Sequence, residues 1–351
     1  MIFSALKVLQ IPEGIVKQIK DATGKILWKG IKELSYHGVA TPLSVARNAF
    51  AATSVGDYAL FGGGFANSQQ RKEVDAYNTS LTRTIPSQLS TGRQNHTATK
   101  VGNYALFGGY NKTVDAYDTS LTLTTVGDLS LGKTFLAATY VGNYALFGGG
   151  LNGGDHRNTV DACDSSLTVT VVKVLSGARS YLAATTIGNY ALFGGGANSV
   201  NRLAIVDAYD TSLTRTIPTE LSLEREYLAA TTVGGYALFG GGREGSTNPV
   251  GNVDAYNSSL TRTTPAELTL AKGRVVATTV GECALFGGGT QGVNTATSYV
   301  EAYDTYLTRT TATSLSVPRN GLAATTVGGY ALFGGGSGDE MSNVVDVYKY
   351  D

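Results

Sequence analysis

A heptapeptide of the form Tyr-Ala-Leu-Phe-Gly-Gly-Gly recurs seven times along this chain. The copies begin at Tyr58, Tyr104, Tyr144, Tyr190, Tyr236, Cys283 and Tyr330. The second copy has Tyr110 in place of its third glycine, and the sixth has Cys283 in place of its tyrosine. Successive copies start 46, 40, 46, 46, 47 and 47 residues apart. A strand-rich repeat of this length is typical of a four-stranded blade, so the sequence predicts an all-β protein with a seven-bladed β-propeller.

The fourth repeat divides into four short segments with strand character. Its segments a, b, c and d run over 179–186, 190–196, 205–209 and 213–217. Turn residues separate a from b and c from d, and a longer loop separates b from c. The small residues of segment a suit the innermost strand, where the blades converge on one axis. Segment b is apolar on both faces, as stacked blades require, and the polar alternation of segment d places it at the outer rim.

The two ends of the chain predict how the propeller closes. The seventh repeat stops at Tyr348, after segment c. Residues 36–47 align with 308–319, which lead from segment d of one repeat into the next. We therefore expect residues 35–44 to supply the missing outer strand of the last blade, which would remove the open edges of the ring.

Residues 1–33 lie outside the repeat and predict a small β-hairpin arm. Apolar residues flank a turn at 21–24, and the arm contains Trp28, the one tryptophan of the chain. Because an isolated hairpin is only marginally stable in water, the arm is expected to be a capping flap on the propeller or a docking arm for a partner. The predicted domains are therefore an arm, 1–33, and a propeller, 34–351.

The repeat resembles the kelch repeat. A basic residue, a small inner strand, an aromatic-aliphatic strand ending in paired glycines and a strand ending in Tyr209 follow one another in the order that this family has. The resemblance covers residues 35–351 and implies a kelch-like propeller. This chain has Thr216 where a kelch repeat usually carries a tryptophan, so Leu213 and its equivalents are expected to pack the outer strand instead.

Composition argues against several classes of partner and compartment. Lys and Arg together number 27, as do Asp and Glu, so no net field attracts nucleic acid or an acidic membrane. No apolar run approaches the roughly 18 residues of a membrane-spanning helix. Lys7 interrupts the opening apolar stretch, and no basic region precedes it, so we expect no signal peptide and synthesis in the cytoplasm. Cys163 and Cys283 occupy different repeats and do not predict a disulfide framework.

The residues needed for catalysis do not form a recognisable set. His37, His96 and His156 lie in different repeats without metal-ligand spacing, and no nucleophile elbow is present. The carboxylates that could serve glycoside chemistry are Asp155, Glu226, Asp339 and Glu340. We predict no catalytic residue, no metal and no cofactor, and keep a sugar-modifying lyase, epimerase or hydrolase as the alternative.

Variation among the repeats predicts the binding face. The a–b and c–d turns barely change, whereas the b–c loops and the entries to segment a differ in every copy. In an up-and-down blade these variable connections emerge on one face, and loops on a rigid scaffold commonly carry binding. The b–c loops are 65–73, 111–113, 151–159, 197–205, 243–252, 290–299 and 337–344.

A ring of varied residues near the axis is the best candidate site. It lies two positions after a recurring basic residue, and its Tyr and Phe faces suit sugar rings or peptide side chains. Together with loop residues, the predicted ligand-binding residues are Asn95, Phe135, Tyr181, Tyr227, Arg274, Phe65, Tyr110, His156, Arg202, Arg243 and Tyr299.

The recurring basic residue has two interpretations. It occurs in every repeat, as does an acid in segment c. The basic residues are Arg47, Arg93, Lys133, Arg179, Arg225, Lys272 and Arg319, and the acids are Asp75, Asp115, Asp161, Asp207, Asp254, Glu301 and Asp346. They either pair with one another for structural reasons or leave an open cationic ring at the surface.

Taken together, the sequence favours a non-catalytic recognition or structural module. The expected partner is a cell-surface glycan or a protein that binds the variable loops. The opening segment, with Ile11-Pro-Glu-Gly and a hairpin ending in Trp28, is similar to the openings of (pro)phage structural and tail-associated proteins. That resemblance implies a virion-associated protein with residues 1–33 as its docking arm.

Overall fold

The computed structural model describes residues 18–20, 26–29, 33–245, 247–292 and 295–351, and within these residues the chain forms strands and turns without a helix. The chain divides into two compact units, Met1–Glu33 with Asp351, and Leu34–Tyr350. In the first unit, strands β1 (Gln18–Lys20) and β2 (Ile26–Lys29) pair antiparallel. The turn predicted at 21–24 lies outside the described residues.

The second unit contains the remaining strands. The first of these are β3 (Leu34–Ala40), β4 (Ala51–Val55), β5 (Tyr58–Gly62), β6 (Phe65–Ala66), β7 (Gln69–Gln70), β8 (Val74–Asn78), β9 (Arg83–Thr84), β10 (Thr97–Val101), β11 (Tyr104–Gly109), β12 (Asn111–Tyr117), β13 (Leu123–Val126), β14 (Ala137–Val141), β15 (Tyr144–Gly148), β16 (Leu151–Asn152), β17 (Asp155–His156), β18 (Val160–Asp164) and β19 (Val169–Val171). They are followed by β20 (Ala183–Ile187), β21 (Tyr190–Gly194), β22 (Val206–Asp210), β23 (Arg215–Thr216), β24 (Ala229–Val233), β25 (Tyr236–Gly240), β26 (Val253–Asn257), β27 (Arg262–Thr263), β28 (Val276–Val280), β29 (Cys283–Gly287), β30 (Thr290–Gln291), β31 (Thr295–Ala296), β32 (Val300–Tyr303), β33 (Arg309–Ala312), β34 (Ala323–Val327), β35 (Tyr330–Gly334) and β36 (Val345–Tyr350).

Most of these strands form seven four-stranded antiparallel sheets, which are the blades, and the short strands β6-β7, β16-β17 and β30-β31 form two-stranded sheets in the b–c loops. The strand orders are β4-β5-β8-β9, β10-β11-β12-β13, β14-β15-β18-β19, β20-β21-β22-β23, β24-β25-β26-β27, β28-β29-β32-β33 and β34-β35-β36-β3. The innermost strand of each blade contacts that of the next, and β34 of the last blade contacts β4 of the first. The predicted seven-bladed propeller is therefore confirmed as a closed ring.

The N-terminal strand closes the ring as predicted. Strand β3 pairs with β36 from Leu34 opposite Tyr350 to Ala40 opposite Val345, with a bulge before Gly38, whose φ is 104°. The strand ends at Ala40 rather than continuing to residue 44. After that point the chain crosses to the first blade, where the carbonyl of Thr41 accepts a hydrogen bond from the Tyr77 hydroxyl at 2.6 Å.

Neighbouring blades interlock through the first glycine of each triplet. A Cβ added to Gly240 would lie 2.7 Å from the ring of Phe286 in the next blade, so only glycine leaves room for that ring. The same contact joins Gly334 to Phe61 across the closure. In the blades that have the tyrosine of strand c, each of these phenylalanines also packs edge-on against that tyrosine. The ring centroids of Phe239 and Tyr256, for example, are 5.9 Å apart. Repeated glycines therefore specify blade stacking rather than phosphate binding.

The outer strands are shorter than the sequence suggested. Strand β23 covers Arg215–Thr216 alone, and Leu213, predicted to begin it, lies in the preceding turn at a φ of 64°. The Asp210 carboxylate accepts the backbone N–H groups of Ser212 and Thr214, both at 2.9 Å. Such side-chain-to-backbone bonds hold a turn in place of strand pairing.

The connections are sorted onto two faces. Gly56, in the first a–b turn, packs against Thr119, in the c–d turn of the next blade. On the opposite face, Phe65 of the first b–c loop donates its backbone N–H to the carbonyl of Asn48, on the entry to strand a, at 2.8 Å. The face formed by the b–c loops and the entries to strand a is called the variable face below.

Candidate functional site

The recurring basic and acidic residues pair within each blade. The pairs are Arg47–Asp75, Arg93–Asp115, Lys133–Asp161, Arg179–Asp207, Arg225–Asp254, Lys272–Glu301 and Arg319–Asp346. Arg225 Nη2 lies 2.7 Å from Asp254 Oδ2, and both side chains are 0 % exposed. The interpretation as structural pairs is confirmed. The interpretation as an open cationic ring is wrong, because the cationic side chains are buried within the blades.

Each pair also binds backbone groups where the chain enters a blade. Asp254 Oδ1 accepts the backbone N–H of Ser222 at 2.9 Å, and Arg225 Nη2 donates to the Phe239 carbonyl at 3.2 Å. The pair thus joins the entry segment to strands b and c. It also fixes the position of Tyr227, two residues after the cation.

That position forms a ring around the axis, which we call the axial ring. Its members are Ala49, Asn95, Phe135, Tyr181, Tyr227, Arg274 and Gly321. All seven have a left-handed backbone, with φ between 49° and 62°. Six backbone hydrogen bonds of 2.8 to 3.0 Å link the members in order. In each bond one member donates its N–H to the carbonyl of the preceding member. The series begins with Ala49, which donates to Gly321, and ends with Arg274. The backbone conformation is therefore set by the ring and not by residue type.

Three aromatic side chains of the axial ring stack on one another. The ring centroids of Phe135 and Tyr181 are 4.4 Å apart, as are those of Tyr181 and Tyr227, with interplanar angles of 44° and 34°. The Arg274 guanidinium extends the arc and lies 5.0 Å from the Tyr227 centroid. The adjacent rings therefore cover part of one another's faces, and the arc also offers the tyrosine hydroxyls and the Arg274 guanidinium as polar edges.

The arc surrounds the mouth of a cavity of about 210 Å³ on the axis. Five of the predicted site residues, Asn95, Phe135, Tyr181, Tyr227 and Arg274, line this mouth together. Below them the wall is largely apolar and includes leucine side chains from four blades, Leu136, Leu182, Leu228 and Leu322. A concave apolar site with a few convergent polar groups is the usual form of a small-ligand pocket.

Two predicted loop residues support the site without entering the arc. The Arg243 side chain is 5 % exposed and donates to Thr290 Oγ1 at 2.6 Å, which joins the loops of two blades. Its guanidinium lies 6.0 Å from the Tyr227 centroid. Arg202 forms an ion pair with Glu226 at 3.0 Å, next to Tyr227 in the chain.

The other predicted loop residues lie around the variable face away from the cavity lining. His156 Nδ1 is 3.0 Å from Ser180 Oγ, and Phe65 pairs with the entry to the first blade. Tyr110 has a φ of 69° at the shortest b–c loop. Tyr299 is 43 % exposed and its carbonyl accepts a bond from Lys272 Nζ at 3.0 Å. These four residues do not converge with the axial ring.

His96 lines the same cavity, although it was not among the predicted ligand-binding residues. It occupies the position that is Leu136 or another apolar residue in the other repeats, and it is 7 % exposed. Neither ring nitrogen has a hydrogen-bond partner within the described residues. Burial lowers its pKa to about 3, and the charge of Arg93 acts in the same direction, while the Gly62 carbonyl opposes it. Alignment of the repeats against one another would have revealed this exception.

We expect His96→Leu to stabilise the protein most in acid. The folded pKa of about 3 lies below the ordinary value of 6.5, so the unfolded chain takes up a proton first. The wild type therefore loses stability as the pH falls from 6.5 towards 3, by about 2–3 kcal/mol at pH 4.5. Urea unfolding of wild type and His96→Leu at pH 7 and 4.5 measures the difference in their unfolding free energies. His37→Gln, at an exposed histidine, is the control, and an advantage of His96→Leu that does not grow in acid would contradict the prediction.

At the opposite end of the axis, threonines line a second cavity. A threonine stands at the same place in the innermost strand of each blade, and the set is Thr53, Thr99, Thr139, Thr185, Thr231, Thr278 and Thr325. Thr185 Oγ1 lies 2.9 Å from Thr232 Oγ1 of the next blade. These hydroxyls form hydrogen bonds between blades, so the threonine-lined end of the axis has a structural role. The axial ring lies at the other end, where the residues differ from blade to blade.

A scan against protein-family models finds no match, and a search of curated proteins finds none either. The resemblances to kelch repeats and to phage proteins therefore stay predictions. The described part of the chain brings no three His, Cys, Asp or Glu side chains together as a metal site. Nor does it contain a helix with the length and apolarity required to cross a membrane.

Proposed function

We propose that this β-propeller is a non-catalytic recognition module that binds a carbohydrate or a protein through its variable face, with the axial mouth as the central contact. The observation that carries the proposal is the variation of the side chains in the axial ring. Its seven members share one left-handed backbone conformation, yet their side chains differ from blade to blade, and Asn95, Phe135, Tyr181, Tyr227 and Arg274 converge on the axial mouth.

The scaffold itself does not need these side chains. Gly321 and Ala49 occupy equivalent positions in the same ring, at φ values of 62° and 54°. Three neighbouring aromatic residues at positions where alanine and glycine also fit are better explained by what they contact outside the protein. Their place among the b–c loops, which differ from blade to blade, supports the same interpretation.

Substitution by glycine separates binding from folding. Tyr181→Gly relieves the strained backbone and removes the centre of the aromatic arc, so we expect a melting temperature close to that of the wild type and binding weakened at least about tenfold. A glycan array with labelled protein, followed by calorimetry on the positive glycans, measures both. Tyr306→Ser, on an exposed c–d turn where other repeats carry serine, is the matched control. Equal binding by Tyr181→Gly and wild type would refute the axial site.

The contribution of the loops is tested separately. Replacing the b–c loops by Gly-Ser segments of equal length keeps the blades and removes the variation. If this variant binds a glycan or protein partner of the wild type unchanged, the variable face is not the binding surface. Conversion of a bound sugar to a new product would favour the alternative of a sugar-modifying enzyme over a binding module.

The proposal includes attachment through residues 1–33. A virion-associated or tail-associated protein needs one end for assembly and another for recognition, and the sequence of the arm is the basis for assigning it to assembly. Loss of assembly on deletion of residues 1–32, with glycan binding retained, would support this division of labour. Loss of both activities would argue against it.

A further inference from the structure

We infer that the group entering the axial mouth is a carboxylated sugar and that Arg274 binds its carboxylate. The inference rests on the proposed function, because it names the ligand class of the same site. It is carried by the charge, the hydrogen-bond donors and the shape of the mouth, each of which is visible in the described residues.

Arg274 is a cation without a counter-ion. It is exposed, and none of the ion pairs in the described part of the chain includes its guanidinium. Its contact is with Tyr227, 5.0 Å away, which holds it over the mouth. Glu226, the acid next to Tyr227, already pairs with Arg202 at 3.0 Å. An anion brought by a ligand would therefore meet an available guanidinium, whose fork of N–H groups matches a carboxylate.

The neighbouring groups are hydrogen-bond donors. The Tyr181 hydroxyl is protonated at neutral pH, as an ordinary phenol is, and burial and the neighbouring Tyr227 phenol raise its pKa further. Arg243, whose own pKa is lowered by burial and then by Arg274, adds a second positive charge behind Tyr227. Asn95 supplies an amide on the far side of the mouth. A ligand rich in oxygen acceptors fits this set better than a cationic one.

Shape favours a sugar over an acidic side chain of a peptide. The cavity of about 210 Å³ is the size of one small ring rather than of an extended chain. Its wall beneath the arc includes Leu182 and Leu228, which suit the C–H face of a pyranose. A sugar acid uses the wall, the hydroxyl edges and the guanidinium together, whereas a peptide carboxylate would use Arg274 alone.

The test compares acidic sugars with neutral sugars. The probes are glucuronate and N-acetylneuraminate, with glucose and N-acetylglucosamine as neutral counterparts and N-acetylglutamate amide as the acidic peptide mimic. Calorimetry or ligand-observed NMR measures binding to wild type, Arg274→Gln and Lys100→Gln. Lys100 is the matched control because its substitution changes net charge equally at the opposite end of the axis, where its side chain is exposed and lies 5.1 Å from the Tyr140 ring centroid. We expect at least one sugar acid to bind at least about tenfold more tightly than its neutral counterpart, and Arg274→Gln alone to remove that preference.

The outcomes separate this inference from the proposed function. Binding of neutral sugars that Tyr181→Gly abolishes and Arg274→Gln leaves intact would overturn the inference and keep the recognition site. Tighter binding of N-acetylglutamate amide than of either sugar acid would also overturn it, in favour of an acidic peptide. Failure of Tyr181→Gly to change the binding of any array glycan would remove the proposed site itself.

Discussion

We expect deletion of residues 1–40 to lower the melting temperature by about 10 °C or more relative to deletion of residues 1–32. The first variant lacks β3, and the second keeps it. The lost strand pairs with β36 along its whole length, and the Tyr36 hydroxyl donates to Asp346 Oδ1 at 2.6 Å. With roughly 1 kcal/mol for each hydrogen bond, the loss amounts to several kcal/mol.

Calorimetry of the two deletion variants measures the difference. The longer deletion also exposes the edge of β36, and free edges pair with other chains. We therefore expect this variant to form dimers or larger species in size-exclusion chromatography as its concentration rises. Equal melting temperatures for the two variants would show that closure by β3 does not stabilise the ring.

Lys133→Met is expected to cost about 3–5 kcal/mol of unfolding free energy, because it leaves the Asp161 carboxylate buried without its cation. Lys133 Nζ lies 3.0 Å from Asp161 Oδ2, and both side chains are 0 % exposed. Burial lowers the pKa of Lys133, which reflects the cost of enclosing its charge. Methionine keeps the length and shape of the side chain, so the change reports mainly on charge.

The double variant Lys133→Met/Asp161→Asn tests the cause. Removing both charges relieves the uncompensated carboxylate, so we expect stability well above that of Lys133→Met alone. Lys133→Arg, the residue of five other blades, is the conservative control. Urea unfolding of the variants completes the cycle. If the double variant is as unstable as the single one, packing and not charge explains the loss.

Repetition explains why so much of the fold could be predicted. The Gly-Phe contact, the buried ion pair and the c–d turn each use the same residue types at the same position of every repeat. Comparison of the repeats with one another therefore reveals them. The alignment of residues 36–47 with 308–319 predicted closure by the same logic. Strand d was predicted too long because a turn held by the Asp210 side chain looks, in sequence, like the start of a strand.

The residues of the axial ring could be predicted from the sequence, but their geometry could not. Its residues could be found because they vary at a fixed distance from Arg179 and its equivalents. Their left-handed backbone could not, since Phe135, Tyr181 and Arg274 are residue types that avoid positive φ. Their stacking depends on that backbone and so was missed as well. His96 escaped notice because a single polar residue at an apolar position is visible only when the repeats are aligned.

The six backbone hydrogen bonds that link the members of the axial ring in series have an evolutionary consequence. Since main-chain atoms connect these positions, each side chain is exchangeable without loss of the frame, as the presence of glycine, alanine, asparagine, tyrosine and arginine demonstrates. Single substitutions at these positions therefore change the surface of the axial mouth and leave its backbone frame in place. Under the proposed function, selection for altered partners accumulates changes there first.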